Sequence, residues 1–248
     1  MYNAFMKLFF FDIDGTLAEG FDVPKSAQKA LKQLRNKDNL VFICTGRPVY
    51  YVKEHFGQYA DGYICFNGRY ALLKDDVLYD FPLTKDQVVE IIEKLDSLKA
   101  GYTFFNNEGS YNGGYLDGRY QEFDTSLSPL YNFNVWFDGW DHFDQIETVL
   151  KDIAVLNKHG RAPHADATIL GSDKGDAINH VLEKLNIDRK DSYAFGDGNN
   201  DISMMKAAGH GIAMGNSVEE VKQCAEFITK DIHNDGIYYA LKEYGFIK

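Results

Sequence analysis

Two carboxylates separated by one residue, Asp12 and Asp14, stand in the segment Phe11-Asp12-Ile13-Asp14-Gly15-Thr16-Leu17, directly after an apolar run. At the carboxyl end of a buried strand such a pair lies where open α/β sheets bind their ligands. Gly15 lets the chain leave the strand sharply. Taken alone, acidic residues beside a glycine also make ordinary surface turns. A second segment, Thr45-Gly46-Arg47, follows another apolar run. A hydroxyl and a backbone N–H at a helix start can hold an anion, although Thr-Gly serves equally as a loop and cap. A third segment, Gly196-Asp197-Gly198-Asn199-Asn200-Asp201, offers acidic and amide oxygens of the kind that suit Mg2+. A calcium loop would need a longer alternation of oxygen ligands ending in Glu, and Ile202–Met205 supplies none. Lys174, behind the candidate N-cap Asp173, reads by itself as an ordinary solvated charge.

These segments need elements to position them. Leu8–Phe11, Leu40–Cys44, Tyr63–Phe66, Ser192–Phe195, Gly211–Met214 and Phe227–Thr229 are short apolar runs of the type that form strands buried on both faces. Between them lie helical stripes: Ala27, Ala30, Leu31 and Leu34 after Pro24, a helix opened by Pro48, and Ala177, Ile178, Val181, Leu182 and Leu185. Ile202–Ala208 reads as a further helix, and Ser217-Val-Glu-Glu220 as a capping box before another. Strands spaced by helices imply parallel crossovers and a doubly wound α/β sheet.

The middle of the chain is different. Thr84-Lys-Asp-Gln87 is a capping box before an amphipathic helix carrying Val88, Ile91, Ile92, Leu95 and Leu98. Aromatics then crowd among glycines, asparagines and aspartates from Tyr102 to Phe143, and a second helix follows with Ile146, Val149, Leu150 and Ile153. An α+β insert over about residues 82–163 is expected, interrupting a catalytic core of residues 1–81 and 164–248. Phe104, Tyr115, Phe133 and Trp136 are expected to form the insert's own core rather than a stacking platform.

The whole chain, 248 residues with 45% hydrophobic and 25% charged, has an ordinary globular composition. A net charge of −11 argues against nucleic acid or an anionic membrane as partner, yet a few local cations can still serve a small phosphate ester. Cys44, Cys65 and Cys224 lack metal-type spacing, and the first two close apolar runs as buried thiols do. Met1–Lys7 carries no basic-then-apolar signal region, and no apolar stretch approaches the ~18 residues that span a bilayer. A reduced, cytoplasmic protein is expected; its oligomeric state is not legible.

Together, and in this order, Asp-x-Asp-Gly-Thr, Thr-Gly-Arg, the lone Lys174 and Gly-Asp-Gly-x-Asn-Asp resemble the four motifs of the haloacid dehalogenase (HAD) superfamily. The insert between the second and third motifs, Gly211-Ile-Ala-Met-Gly-Asn216, Asn67-Gly68 and Asp235-Gly236-Ile237 are similar to its Cof-type subfamily with a class IIB cap. The resemblance implies a Rossmann-like HAD core whose inserted cap selects the substrate, and magnesium-dependent hydrolysis of a small phosphorylated metabolite such as a sugar phosphate. It implies that Asp12 is the nucleophile forming an aspartyl-phosphate and that Asp14 is the acid and then the base. Mg2+ would be held by the Asp12 carboxylate, the Asp14 backbone carbonyl and Asp197, with Asp201 supporting from outside the coordination sphere. Thr45, Gly46, Lys174 and Asn200 would hold the phosphoryl group, with Lys174 acting on site charge and not on folding. Arg47 keeps two readings, phosphate contact or a core ion pair. Arg119, Lys158, Arg161 and His164 are candidate substrate contacts. A phosphomutase with the same chemistry and a non-catalytic binding module are the alternatives; the intact Asp12, Asp14, Lys174 and Asp197 set speaks against the latter.

Overall fold

A computed structural model describes residues 6–158 and 162–248. In chain order these form β1 (Leu8–Phe11), α1 (Lys25–Arg35), β2 (Leu40–Cys44), α2 (Val49–Phe56), β3 (Gly62–Cys65), β4 (Tyr70–Leu73) and β5 (Asp76–Asp80). Next come α3 (Lys85–Ser97), β6 (Gly101–Phe105), β7 (Ser110–Leu116), β8 (Arg119–Gln121), β9 (Asn132–Trp136), α4 (Trp140–Leu150), β10 (Ala154–Lys158) and β11 (His164–Ile169). The chain closes with α5 (Lys174–Leu185), β12 (Ser192–Gly196), α6 (Ile202–Ala207), β13 (His210–Ala213), α7 (Glu219–Cys224), β14 (Phe227–Ile228) and α8 (Gly236–Glu243). Two compact units result, residues 6–80 with 172–248 and residues 81–171.

In the first unit, eight strands among the described residues form one sheet in the order β14-β13-β12-β1-β2-β3-β4-β5. The strands from β14 to β3 run parallel. β1 occupies the middle because all four of its residues are apolar and both faces are covered. Leu8 and Phe10 join the apolar stripe of α5 on one face. On the other, Phe9 stacks on Tyr193 and meets Phe246 edge-on. β3, β4 and β5 continue the sheet as an antiparallel edge that the sequence reading did not anticipate.

The second unit has a six-stranded antiparallel sheet in the order β10-β11-β9-β6-β7-β8. α3 and α4 supply Ile91, Leu95, Phe143 and Ile146 to a core with Tyr102, Phe104, Phe133 and Val135 from the strands. Thr84 caps α3 as expected: Gln87 N–H donates to its hydroxyl at 3.2 Å and Thr84 N–H donates to Gln87 Oε1 at 2.9 Å. Three expectations need correction. The unit ends at Gly171 rather than near Pro163, because β11 pairs antiparallel with β10 and β9. Period-2 alternation buries Phe133 and Val135 but turns Trp136 to the other sheet face, 36% exposed, with its Nε1–H donating to Thr103 Oγ1. Tyr115 is likewise only half-buried. In the first unit, the capping box at Ser217 does not form: α7 begins at Glu219, and Ser217 Oγ–H instead donates to the Gly196 carbonyl at 3.1 Å.

Candidate active site

Parallel registration aligns the strand ends that carry the chemistry. Phe11 pairs with Ile43 of β2 and with Phe195 of β12, so Asp12, Thr45 and Asp197 all emerge beyond the same end of the sheet. Lys174 arrives from elsewhere, at the first turn of α5. Asp173 fixes that turn by accepting from Gly175 N–H at 2.8 Å and Asp176 N–H at 3.0 Å, while Asp176 returns a bond to Asp173 N–H.

The result is a buried charge cluster. Lys174 Nζ donates to Asp12 Oδ1 and to Asp201 Oδ1, each at 2.6 Å, with its side chain 1% exposed. Lys174 is thus also part of the folded core, contrary to the expectation that it acts on charge alone. The other oxygen of Asp201 accepts from Asp197 N–H at 2.9 Å and Gly198 N–H at 3.0 Å. Both Asp201 oxygens are therefore engaged, which suits a group that shapes the Asp197 loop. Asp197 Oδ1 accepts from Thr16 Oγ1 at 2.7 Å. Gly15 has φ +84°, and a Cβ there would stand 2.3 Å from Asp197 Oδ2, so a glycine is required for the two loops to approach.

Positive charge is scarce here. Oxygens of Asp12, Asp197 and Asp201 lie within 4.8 Å of one another with one lysine among them. Burial, and then the charge of Asp201, push Asp12 up to about 8 against the opposing pull of Lys174. Burial raises Asp197 to about 6, with the Thr16 hydroxyl working the other way and Asp201 adding to the rise. Burial alone would lower Lys174, but Asp12 and Asp201 outweigh it and hold the ammonium well above its ordinary value. Three crowded hard-oxygen donors short of cation fit a divalent ion such as Mg2+.

Asp14 points to a different partner. Arg47 Nε donates to Asp14 Oδ2 at 2.9 Å and Nη2 donates to Asp14 Oδ1 at 2.7 Å, a bidentate pair. The guanidinium also lies 4.5 Å over the Tyr51 ring. Of the two readings of Arg47 this is the ion pair within the core, and its partner is the second aspartate. Thr45 is buried with its hydroxyl accepting from Arg47 N–H at 3.2 Å. Gly46 follows it into the approach to α2, and Asn200 lies exposed on the loop after β12. Among the described residues no hydrogen bond joins Thr45, Gly46 or Asn200 to the carboxylate cluster. Thr16, which the motif Asp-x-Asp-Gly-Thr contains but to which the sequence assigns no role, bonds Asp197; its place two residues after Asp14 is the signal for it. Cys44 and Cys65 are buried, and burial raises both thiols, as expected of inert cysteines.

In the second unit Lys158 Nζ lies over the rings of Phe143 at 4.1 Å and Trp140 at 4.9 Å, and His164 lies 5.1 Å from Trp136. Arg119 is exposed on β8, and Arg161 lies outside the described residues. No helix among the described residues is long and apolar enough to cross a membrane.

Comparison with known proteins agrees with this architecture. The family model for haloacid dehalogenase-like hydrolases matches residues 9–134 and 140–241. The chain is 31% identical over 261 residues to YkrA of Bacillus subtilis (strain 168), by its name a candidate phosphatase, covering 98% of this chain and 99% of YkrA. Among solved structures, BT1666 from Bacteroides thetaiotaomicron, described among phosphatases of the haloalkanoate (HAD) enzyme superfamily, superposes with a TM-score of 0.84 at 26% identity, covering 98% of this chain and 97% of that one. BT4131, described as a HAD subclass IIB sugar phosphatase, superposes with a TM-score of 0.80 at 26% identity, covering 97% and 100%.

Proposed function

The chain belongs to the haloacid dehalogenase-like hydrolases, and on that premise we propose that it is a magnesium-dependent phosphatase acting on a small phosphate monoester, a sugar phosphate or related metabolite. The observation that carries the proposal is the Lys174 bridge between Asp12 and Asp201, with Asp197 beside them at the end of β1. Phosphate monoesters resist attack because their oxygens are anionic and the leaving alkoxide is poor, so a site must offset charge, position a nucleophile and supply an acid. Asp12, the Asp14 backbone carbonyl and Asp197 would hold Mg2+, which would supply Lewis-acid stabilisation of the phosphoryl oxygens.

The protein's own groups do the rest. Asp12 attacks phosphorus in line; the Asp12 oxygen–phosphorus bond forms as the bond to the ester oxygen breaks. Asp14 gives its proton to that departing oxygen. In the second half Asp14 takes a proton from the water that attacks the aspartyl-phosphate, and inorganic phosphate leaves. Lys174 offsets the approach of the anionic substrate to Asp12, while Thr45, Gly46 and Asn200 hold phosphoryl oxygens. Arg47 holds both oxygens of Asp14 in a bidentate pair, so that side chain must leave the guanidinium and take up a proton before it serves the departing oxygen. The inserted unit, which carries none of the four motifs, selects the substrate.

A panel of a few dozen phosphate esters, assayed for released phosphate with Mg2+ and with excess EDTA, tests this reading. Turnover of a sugar phosphate that EDTA abolishes and Mg2+ restores is expected. Full activity in EDTA, or return of the phosphate to a second sugar hydroxyl rather than to water, would contradict it.

A further inference from the structure

The sequence Gly211-Ile-Ala-Met-Gly-Asn216 has no part in the chemistry above, yet the chain that leaves β13 touches both metal-site loops. Met214 N–H and Ser217 Oγ–H both donate to the Gly196 carbonyl at 3.1 Å, and Val218 N–H donates to the Asp197 carbonyl at 3.1 Å. Asn216, though exposed, reaches across to the other loop: its Nδ2–H donates to the Gly15 carbonyl at 2.8 Å, 201 residues away. Its Oδ1 accepts from Ile232 N–H at 3.0 Å. The preceding Gly215 brings the chain against the 230–231 segment, where a Cβ would stand 2.5 Å from the Asp231 nitrogen.

Gly15 is held on both sides, since its N–H donates to the Ala18 carbonyl at 3.0 Å while its carbonyl accepts from Asn216. With both ends of the residue fixed, the peptide between Asp14 and Gly15 has little freedom to turn. We infer that Asn216 is a positioning residue for the metal site, tying the loop that carries the Asp14 backbone carbonyl to the segment that braces the Asp197 loop. The inference rests on the magnesium reading above. Asn216 touches neither the ion nor the substrate; its effect is on the spacing of two oxygen ligands, and such outer partners commonly change metal affinity by about 10–100-fold when lost.

Asn216→Asp is the informative variant. It keeps the size and the acceptor for Ile232 N–H but replaces the donor to Gly15 with an oxygen. A carboxylate added near a divalent site would by charge alone tighten Mg2+, so weaker binding in this variant separates position from charge. Mg2+ alone is titrated while the melting temperature is followed, in the parent, Asn216→Asp and Asn216→Ala, and activity against Mg2+ is measured in parallel. In EDTA both variants should unfold as cooperatively as the parent. Their half-saturating Mg2+ should then rise about tenfold in both readouts, with substrate KM at saturating Mg2+ little changed. An unchanged or lower half-saturating concentration in Asn216→Asp overturns the inference, and failure of either variant to fold in EDTA assigns Asn216 to folding instead. If the parent itself shows no response to Mg2+, the magnesium reading falls and takes this inference with it. A responsive parent with equally responsive variants sinks only the role of Asn216.

Discussion

Both units bury an apolar core, but the first also buries a charged cluster. Beneath the end of β1, the first unit encloses Asp12, Lys174 and Asp201, whose compatibility depends on matching charge at 2.6 Å. The inserted unit encloses Tyr102, Phe104, Phe133, Phe143 and their aliphatic neighbours between its sheet and two helices, and its order depends on filled volume. A buried ion that loses its partner is left uncompensated, whereas a buried ring that is lost leaves a cavity. The first unit should therefore respond to pH and cations where the second responds only to packing.

Replacing Lys174 by Met is the hardest test of that contrast. Two buried carboxylates would face each other without their cation, at a stability cost of roughly 3–5 kcal/mol near pH 7. kcat/KM should fall by about 10²–10³-fold, judged from the loss of a single preorganised donor. Denaturant unfolding and steady-state kinetics read the two effects separately. An unchanged unfolding midpoint would mean the site charge carries no weight in folding.

In the inserted unit, Phe133→Ala should cost about 3–5 kcal/mol, while Trp136→Ala three residues on should cost about 1 kcal/mol or less, because its ring lies on the other sheet face. Equal losses, measured by unfolding, would erase the inside–outside distinction.

A third effect is one of pH. Asp12 has a folded pKa raised from 3.8 to about 8, so its contribution to stability is complete below 3.8 and is lost as pH climbs through about 8. Asp197, raised to about 6, acts in the same direction over a lower range. The metal-free protein should thus lose melting temperature between about pH 4 and pH 8, most steeply below about pH 6 where both groups contribute, and Mg2+ should flatten that slope by supplying the missing positive charge. A slope identical with and without Mg2+ would break the link between the carboxylate cluster and the cation.

Much of the first unit was legible because three of the motifs are short, contiguous and at strand ends, where local sequence dictates backbone direction. Asp12 and Asp197 needed no knowledge of distant pairing to be picked out, whereas Lys174, by itself an ordinary charge, stood out only through the resemblance. The Arg47–Asp14 pair and the Asn216–Gly15 bond were not legible, since each depends on loops 33 and 201 residues apart in sequence. The hairpin of β4 and β5 extends a parallel sheet in the antiparallel sense, and nothing in the preceding strand–helix rhythm announces it. Pro163 reads as a boundary, yet the strand after it finds its partners in the insert. Trp136 was misassigned despite an available signal: in Asn132-Phe133-Asn134-Val135-Trp136 the alternation places it with the asparagines.

Trapping the intermediate separates the two aspartates, Asp12 as the group that bonds to phosphorus and Asp14 as the one that moves the protons. Proton transfer of this kind is typically worth about 10²–10⁴-fold per step, and it matters most for a poor leaving group. Asp14→Asn should lose sugar-phosphate hydrolysis yet still accept phosphate from an activated donor such as p-nitrophenyl phosphate or acetyl phosphate, and the intermediate should persist for lack of a base. Mass spectrometry of the rapidly quenched variant should then find one added phosphate on the peptide containing Asp12, and none when Asp12→Asn is combined with it. Phosphate on any other residue, or a normal sugar-phosphate rate in Asp14→Asn, would contradict the account.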